Sequence, residues 1–194
     1  MRVALALVHH PVRDRLGDVV ASAVTNLDVH DIARSCRTYD LARYYIVSPI
    51  EAQWRVVERI VEHWTEGAGR VRVPQRGEAL SRVELAPSLA KAQSRAAELF
   101  GATPRLLATG AKPAPETPLC SYDEARALLA EDAPLLLVFG TGHGLAASAV
   151  AQCGGSLPPI RPHSYNHLSV RAAVAITLDR LFGDGCVDDP MGPC

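Results

Sequence analysis

Glycines on alternate positions follow one of the apolar runs of the chain. Leu135 to Phe139 is uninterrupted by polar residues, which is typical of a strand buried on both faces. The segment Gly140-Thr141-Gly142-His143-Gly144 comes directly after it. Glycines let a backbone turn sharply and let a ligand approach the main chain closely. The spacing is neither that of a dinucleotide fingerprint nor that of a phosphate-binding P-loop, so it fits a ligand contact and a tight structural turn equally.

Histidines near this segment raise the question of a metal. His163 and His167 lie four residues apart, and His143 belongs to the glycine segment. However, no carboxylate or cysteine stands at a supporting spacing, and Pro162 interrupts any helix that would run through His163. A serine hydrolase is not indicated either, since no G-x-S-x-G elbow is present. We therefore predict no metal.

The elements that must position the glycine segment alternate between strand and helix. Apolar runs predict strands near 3–8, 44–48, 83–86, 105–109 and 135–139. Helical spacing predicts helices near 26–39, 54–64, 88–100, 122–130 and 166–181. Residues 69–77 are predicted as a basic loop that either contacts phosphate or is simply solvated. The alternation predicts an α/β fold, a mainly parallel sheet with helices on both faces, in a single domain.

Three loops would then meet at one edge of the sheet. Ala108-Thr109-Gly110, Gly140 to Gly144 and Ile160 to Leu168 each follow a predicted strand or an extended segment. Ligands of open α/β sheets bind beyond the carboxyl ends of the strands. Backbone donors and acceptors presented there suit a purine ring and a ribose.

The amino-acid composition is that of an ordinary globular protein and does not indicate a function. The chain has 194 residues, 48% hydrophobic and 21% charged, with a net charge of −1, so composition does not indicate a nucleic-acid binder. The five cysteines show no C-x-x-C spacing, which is typical of incidental thiols in a reducing compartment. No apolar run is long enough for a membrane span, and we expect a cytoplasmic protein with no membrane partner.

Two C-terminal segments carry a family resemblance. Residues 135–145 and 164–176 resemble the cofactor half of the SPOUT RNA methyltransferases. Residues 26–39 are similar to the Asn…Arg motif of their 2′-O-ribose branch. Nearly the whole chain resembles a bacterial family of S-adenosylmethionine-dependent RNA methyltransferases related to the tRNA guanine-N1 enzymes.

That resemblance implies a C-terminal deep trefoil knot at about residues 104–182, within one SPOUT domain spanning residues 1–194. It also implies a homodimer, with the site completed near the subunit interface, S-adenosylmethionine as cofactor and S-adenosylhomocysteine as product. The residues that the resemblance assigns to the cofactor are Ala108, Thr109, Gly110, Gly140, Thr141, Gly142, His143, Gly144, Ile160, Tyr165, Asn166, His167 and Leu168.

The same resemblance implies a catalytic role for Arg34 and Asn26. Arg34 would orient a phosphate or stabilise a deprotonating 2′-hydroxyl; the alternative is a surface ion pair with a neighbour such as Asp31. The expected function is methylation of RNA, tRNA or rRNA, at a base nitrogen or a ribose 2′-hydroxyl. A non-catalytic module that binds S-adenosylmethionine or RNA, and a methyltransferase with a non-RNA acceptor, are the alternatives.

Overall fold

The computed structural model describes residues 1–114, 116–161 and 166–183. The strands are β1 (Val3–Val8), β2 (Val12–Arg13), β3 (Val19–Val20), β4 (Arg43–Val47), β5 (Val83–Ala86), β6 (Arg105–Ala108), β7 (Leu135–Gly140) and β8 (Gly155–Ser156). The helices are α1 (Asn26–Thr38), α2 (Glu51–Thr65), α3 (Ala68–Arg72), α4 (Pro74–Leu80), α5 (Leu89–Phe100), α6 (Tyr122–Ala130), α7 (Ala147–Val150) and α8 (Val170–Phe182).

Six of the strands form one parallel sheet in the order β5-β4-β1-β7-β6-β8. The first strand lies near the centre, where it pairs with β4 on one side and with β7 on the other. Strands β2 and β3 form a separate antiparallel hairpin. The predicted parallel sheet is therefore confirmed.

Helices cover both faces of the sheet, as predicted. Along β1 the side chains alternate: Leu5 and Leu7 pack against the face of α1, α2, α4, α6 and α8, whereas Ala4 and Ala6 face α5 and α7. Small residues on the second face let α5 approach the sheet closely. Each fully buried leucine contributes roughly 1.5–3 kcal/mol to folding.

The prediction of a loop at residues 69–77 is wrong, because the short helices α3 and α4 occupy this stretch. Both helices pack against Trp64 of α2. A Cβ on Gly69 would lie 2.6 Å from the Trp64 ring, and a Cβ on Gly77 would collide with the Trp64 carbonyl oxygen. The glycines that indicated a loop instead permit close packing, and Pro74 begins α4 at a position where its missing N–H costs nothing.

The start of the last helix also differs from expectation. Helix α8 begins at Val170 rather than near Asn166, because the Ser169 hydroxyl accepts the Ala172 N–H at 3.2 Å and caps the helix there. Thr25 caps α1 by accepting the Asp28 N–H at 3.2 Å, which makes Asn26 the first helical residue. Within the described ranges, no helix is long and apolar enough to cross a membrane.

Candidate functional site

Three neighbouring strands deliver the predicted loops to one edge of the sheet. Strand β6 lies between β7 and β8, and neighbouring strands of a sheet are about 5 Å apart. The segments that follow these three strands therefore begin side by side at the same edge of the sheet. Leu157 N–H donates to the Ala108 oxygen at 2.8 Å and holds the segment after β8 beside β6. Asn166 Nδ2 donates to the Ala111 oxygen at 2.8 Å, which ties the approach to α8 to the same loop. Tyr165 lies outside the described residues.

The glycine segment is a tight turn with two residues in the left-handed region. Gly142 has φ +60° and Gly144 has φ +101°, conformations that L side chains rarely adopt. Gly144 N–H donates to the Thr141 oxygen at 3.0 Å and closes the turn. A Cβ on Gly140 would lie 2.6 Å from the Leu145 nitrogen. All three glycines are therefore required by the shape of this loop.

The β2–β3 hairpin holds the glycine segment from the N-terminal half of the chain. His143 N–H donates to the Arg13 oxygen at 3.0 Å, and Arg13 N–H donates to the Gly144 oxygen at 2.9 Å. Val12 also bridges to Leu145. No sequence pattern predicts this contact, since Arg13 stands in a polar stretch and its partner His143 is 130 positions away.

A buried histidine supports the same loop through a chain of hydroxyl groups. The Thr141 hydroxyl donates to the Val8 oxygen at 3.1 Å and is also bonded to the Ser22 hydroxyl, which lies 3.0 Å from His9 Nδ1. With Thr141 donating to Val8, the donors run from His9 Nδ1–H through Ser22 to Thr141. Burial lowers the pKa of His9 to about 4, against the attraction of Asp28, so the ring is neutral near pH 7. His9 also escaped the sequence analysis.

The loops offer backbone donors that fit an adenosine group. The N–H groups of Gly110, Gly142, Ile160 and Leu168 donate to no other group of the described residues. All four residues are exposed or half-buried. A purine edge and ribose hydroxyls are recognised by such fixed polar groups in a ligand site. The residues present are therefore suited to a nucleoside-containing cofactor.

A cavity of about 530 Å³ borders this edge of the sheet. It is lined by Ser156 of β8 and by the loop that follows Gly110. None of the predicted cofactor residues lines it. The cavity therefore lies beside the three converging loops and is not formed by the predicted cofactor residues.

Arg34 lies on the exposed side of α1. Asn26 and Arg34 are eight residues apart, so they are separated by about 12 Å along the helix axis. The alternative of an ion pair between Arg34 and Asp31 is wrong, because Asp31 binds Arg171 of α8 at 3.0 Å. Arg34 makes no ion pair with any described residue, and it borders a second cavity of about 320 Å³ together with Tyr39. No hydrogen bond or ion pair among the described residues joins Arg34 to the glycine segment.

No group of three His, Cys, Asp or Glu side chains that could hold a metal is found among the described residues. His143 and His167, considered as ligands above, are both exposed, and His163 lies outside the described ranges.

Several solved structures share this architecture. TrmJ from Zymomonas mobilis superimposes with a TM-score of 0.60 over 98% of this chain and 72% of its own, at 15% identity. A methylase family protein from Neisseria gonorrhoeae gives a TM-score of 0.59 over 100% and 86%, at 16% identity. The TrmH/SpoU tRNA-modifying enzyme of Aquifex aeolicus gives 0.56 over 93% and 73%, at 12% identity. These likenesses place the chain in a class of α/β proteins with a mainly parallel sheet, the fold that these solved structures share.

Sequence relatives narrow the class to a family. The family described as SAM-dependent RNA methyltransferase matches residues 2–183, and the chain belongs to it. A tRNA (guanine-N(1)-)-methyltransferase from Oleidesulfovibrio alaskensis is 43% identical over 180 residues, which cover 92% of this chain and 41% of that protein. An uncharacterized protein from Aquifex aeolicus is 39% identical over 93% of this chain and 88% of its own. The chain thus spans about two fifths of the length of the first relative.

Proposed function

We propose that this chain transfers a methyl group from S-adenosylmethionine to RNA. The observation that carries the proposal is the convergence of three loops with free backbone N–H groups, in a chain that belongs to a SAM-dependent RNA methyltransferase family. When bound, the cofactor supplies a sulfonium methyl group that is already activated for transfer. The protein therefore has to hold the cofactor, position the acceptor in line and relieve it of its proton.

The cofactor would be held by the three loops at the edge of the sheet. Gly110, Gly142 and Ile160 have the free N–H donors, while Thr109 is fixed by donating its own N–H and hydroxyl to the Val138 oxygen. Thr141 is fixed by the hydroxyl chain to His9. The remaining members of the proposed cofactor set are Ala108, Gly140, His143, Gly144, Tyr165, Asn166, His167 and Leu168.

The acceptor would be an RNA nucleotide, either a base nitrogen such as guanine N1 or a ribose 2′-hydroxyl. A tRNA acceptor is supported by the relatives that are 43% and 44% identical, both named tRNA (guanine-N(1)-)-methyltransferase. Arg34, whose guanidinium has no ion-pair partner among the described residues, would orient a phosphate or stabilise the deprotonating hydroxyl, with Asn26 at the start of the same helix.

Three further parts of the proposal concern architecture. We infer that the chain forms one SPOUT domain over residues 1–194, that its C-terminal part at about 104–182 is a trefoil knot, and that two copies form a homodimer. Dimerisation would bring Arg34 of one copy toward the loops of the other; within one copy no hydrogen bond or ion pair of the described residues joins Arg34 to these loops. The tied Asn166–Ala111 contact is in keeping with a threaded C-terminal segment.

The test is calorimetric titration with S-adenosylmethionine and S-adenosylhomocysteine, using wild type and Gly142→Ala. A Cβ at residue 142 would lie 3.0 Å from the Arg13 oxygen in a left-handed conformation that costs roughly 1–2 kcal/mol. We expect the affinity of Gly142→Ala to fall by about tenfold or more. Gly101→Ala is the matched control: it introduces the same kind of strain, at φ +70°, with nothing within 4 Å.

Transfer is then measured with tritiated cofactor and unfractionated bacterial tRNA or rRNA. We expect incorporation that Arg34→Ala lowers by about a hundredfold while cofactor affinity is unchanged. Cofactor binding without transfer to any RNA would contradict the enzyme and favour a binding module or a non-RNA acceptor. Absence of cofactor binding by the folded wild type would contradict the proposal as a whole.

A further inference from the structure

Three arginines on the helices between α2 and β5 belong neither to the proposed cofactor site nor to the proposed catalytic residues. Arg70 and Arg72 belong to α3, and Arg76 belongs to α4. From residue 67 to residue 77 there is no aspartate or glutamate, although the whole chain carries a net charge of −1. We name these three residues the arginine surface.

None of the described carboxylates forms an ion pair with the arginine surface. None of its three guanidinium groups forms an ion pair or hydrogen bond with the described part of the chain. The acidic residue that follows, Glu78, is bound by Arg37 with 2.7 Å between Oε1 and Nε. The positive charge is therefore left for an outside partner.

The arginine surface is held in place rather than displayed on a loop. The Arg76 guanidinium lies over the Trp64 ring, with 4.5 Å between its central carbon and the ring centroid, and this cation–π contact holds the side chain in place. Gly69 and Gly77 allow α3 and α4 to lie directly on Trp64. Because the backbone is fixed by this packing, binding through these side chains loses less conformational entropy than binding through a mobile loop.

The surface extends toward the residue proposed for catalysis. Helix α4 packs against α1. The rings of His30 on α1 and Trp64 meet edge to face with 5.7 Å between their centroids, and Arg76 lies over the same Trp64 ring. The pKa of His30 is lowered by burial first and then by the positive charges of Arg76 and Arg34, against the attraction of Asp31. The arginine surface therefore adjoins α1, the helix that carries Arg34.

We propose that the arginine surface binds the phosphate backbone of the RNA substrate and guides it to Arg34. Arginine forks match phosphate oxygens, and an unneutralised group of them on a chain of net charge −1 is complementary to a polyanion. This inference rests on the proposed function, since it assigns the surface that holds the RNA of the same reaction.

The experiment measures binding of unfractionated bacterial tRNA to the full chain by filter retention across a range of salt concentrations. In Arg70→Gln/Arg72→Gln the two exposed charges are removed without disturbing the Arg76–Trp64 stack. We expect about tenfold weaker binding and a salt slope reduced by roughly 1.5, or about 0.7–0.9 for each lost phosphate contact. Cofactor affinity and the circular dichroism spectrum are expected to stay unchanged.

Lys91→Glu is the control matched in net charge. Lys91 is exposed on α5, which lies on the opposite face of the sheet. Equal effects of Lys91→Glu and of the double variant would overturn the inference, since only overall charge would then matter. An unchanged affinity and slope in the double variant, or no salt-dependent tRNA binding by wild type, would overturn it as well. The proposed function fails by a different readout, namely no methyl transfer to any RNA.

Discussion

At the scale of single residues, the neutral ring of His9 joins two halves of the chain. His9 directly follows β1, is fully buried, and is bonded through Ser22 to Thr141 of the glycine segment. Its Nε2 has no partner among the described residues. A proton on this ring would place an unpaired charge in the interior, so the folded state excludes it.

That exclusion predicts how stability depends on pH. The unfolded chain takes up a proton at His9 near pH 6.5, whereas the folded chain does so only at about 4. The contribution of His9 is therefore complete above pH 6.5 and is lost as the pH falls toward 4, a difference of about 3 kcal/mol in the free energy of unfolding. Urea unfolding at pH 7.5 to 4.5 would measure it.

His9→Asn isolates this contribution, since an amide keeps a polar partner for Ser22 but does not titrate. We expect its free energy of unfolding to fall less steeply with acid than that of wild type. His143→Asn, which removes an exposed histidine, is expected to keep the wild-type steepness. If the free energy of unfolding fell equally steeply with acid in wild type and in His9→Asn, the assignment of His9 as a buried, neutral ring would be contradicted.

At the scale of elements, one arginine fastens α8 to α1. Arg171 lies 3.5 Å from Asp28 and 3.0 Å from Asp31. Asp28 is buried and also accepts the Thr25 hydroxyl at 2.6 Å. Removing Arg171 would leave the buried Asp28 carboxylate without its cation, which would lower the free energy of unfolding.

We expect Arg171→Met to lower the free energy of unfolding by about 1–3 kcal/mol. Arg2→Met is the matched control, because the Arg2–Asp132 pair has the same 3.0 Å separation but side chains that are 37% and 62% exposed. Its loss is expected to stay below about 1 kcal/mol. Denaturant unfolding of the two variants compares them, and equal losses would show that the bond between α8 and α1 contributes no more than a surface pair.

The elements also show how far sequence reasoning reaches. The buried strands and the parallel sheet follow from apolar runs and from their alternation with helices, and both were predicted. Helices α3 and α4 were not, because they are short and contain Gly69 and Gly77, and only packing on Trp64 stabilises them. Within the site, the residues after β6, β7 and β8 follow from the topology of a parallel sheet. Ser22 and Arg13 contact residues more than 100 positions away, and His9 acts through Ser22. No local sequence pattern indicates such contacts.

At the scale of the whole molecule, the proposed dimer predicts a site shared between two copies, with Arg34 from one copy and the glycine segment from the other. In a symmetric dimer, Gly142→Ala would disable the loops and Arg34→Ala would disable the acceptor side. Each homodimer is then inactive. A mixed dimer has one site in which both residues are intact.

Coexpression of the two variants measures this. If the copies assort at random, half of the dimers are mixed and each has one working site, so about a quarter of the wild-type transfer is expected to return. Sedimentation equilibrium of the wild type checks for the dimer itself. No recovery in a coexpressed pair that does form mixed dimers would contradict a shared site and place Arg34 and the loops of the same copy together.

The central position of β1 has a consequence for the protein while it is being synthesised. Val3 pairs with Leu135 and Val8 with Gly140, whereas the strands on the other side, β4 and β5, end by Ala86. A nascent chain can assemble β1, β4 and β5 early, but the other edge of β1 has no partner strand until Gly140 has left the ribosome. At ordinary translation rates this interval lasts roughly 3–11 seconds. During it, an apolar strand edge is open to pairing with other chains, which makes nascent-chain binding by chaperones most valuable between those two points of elongation.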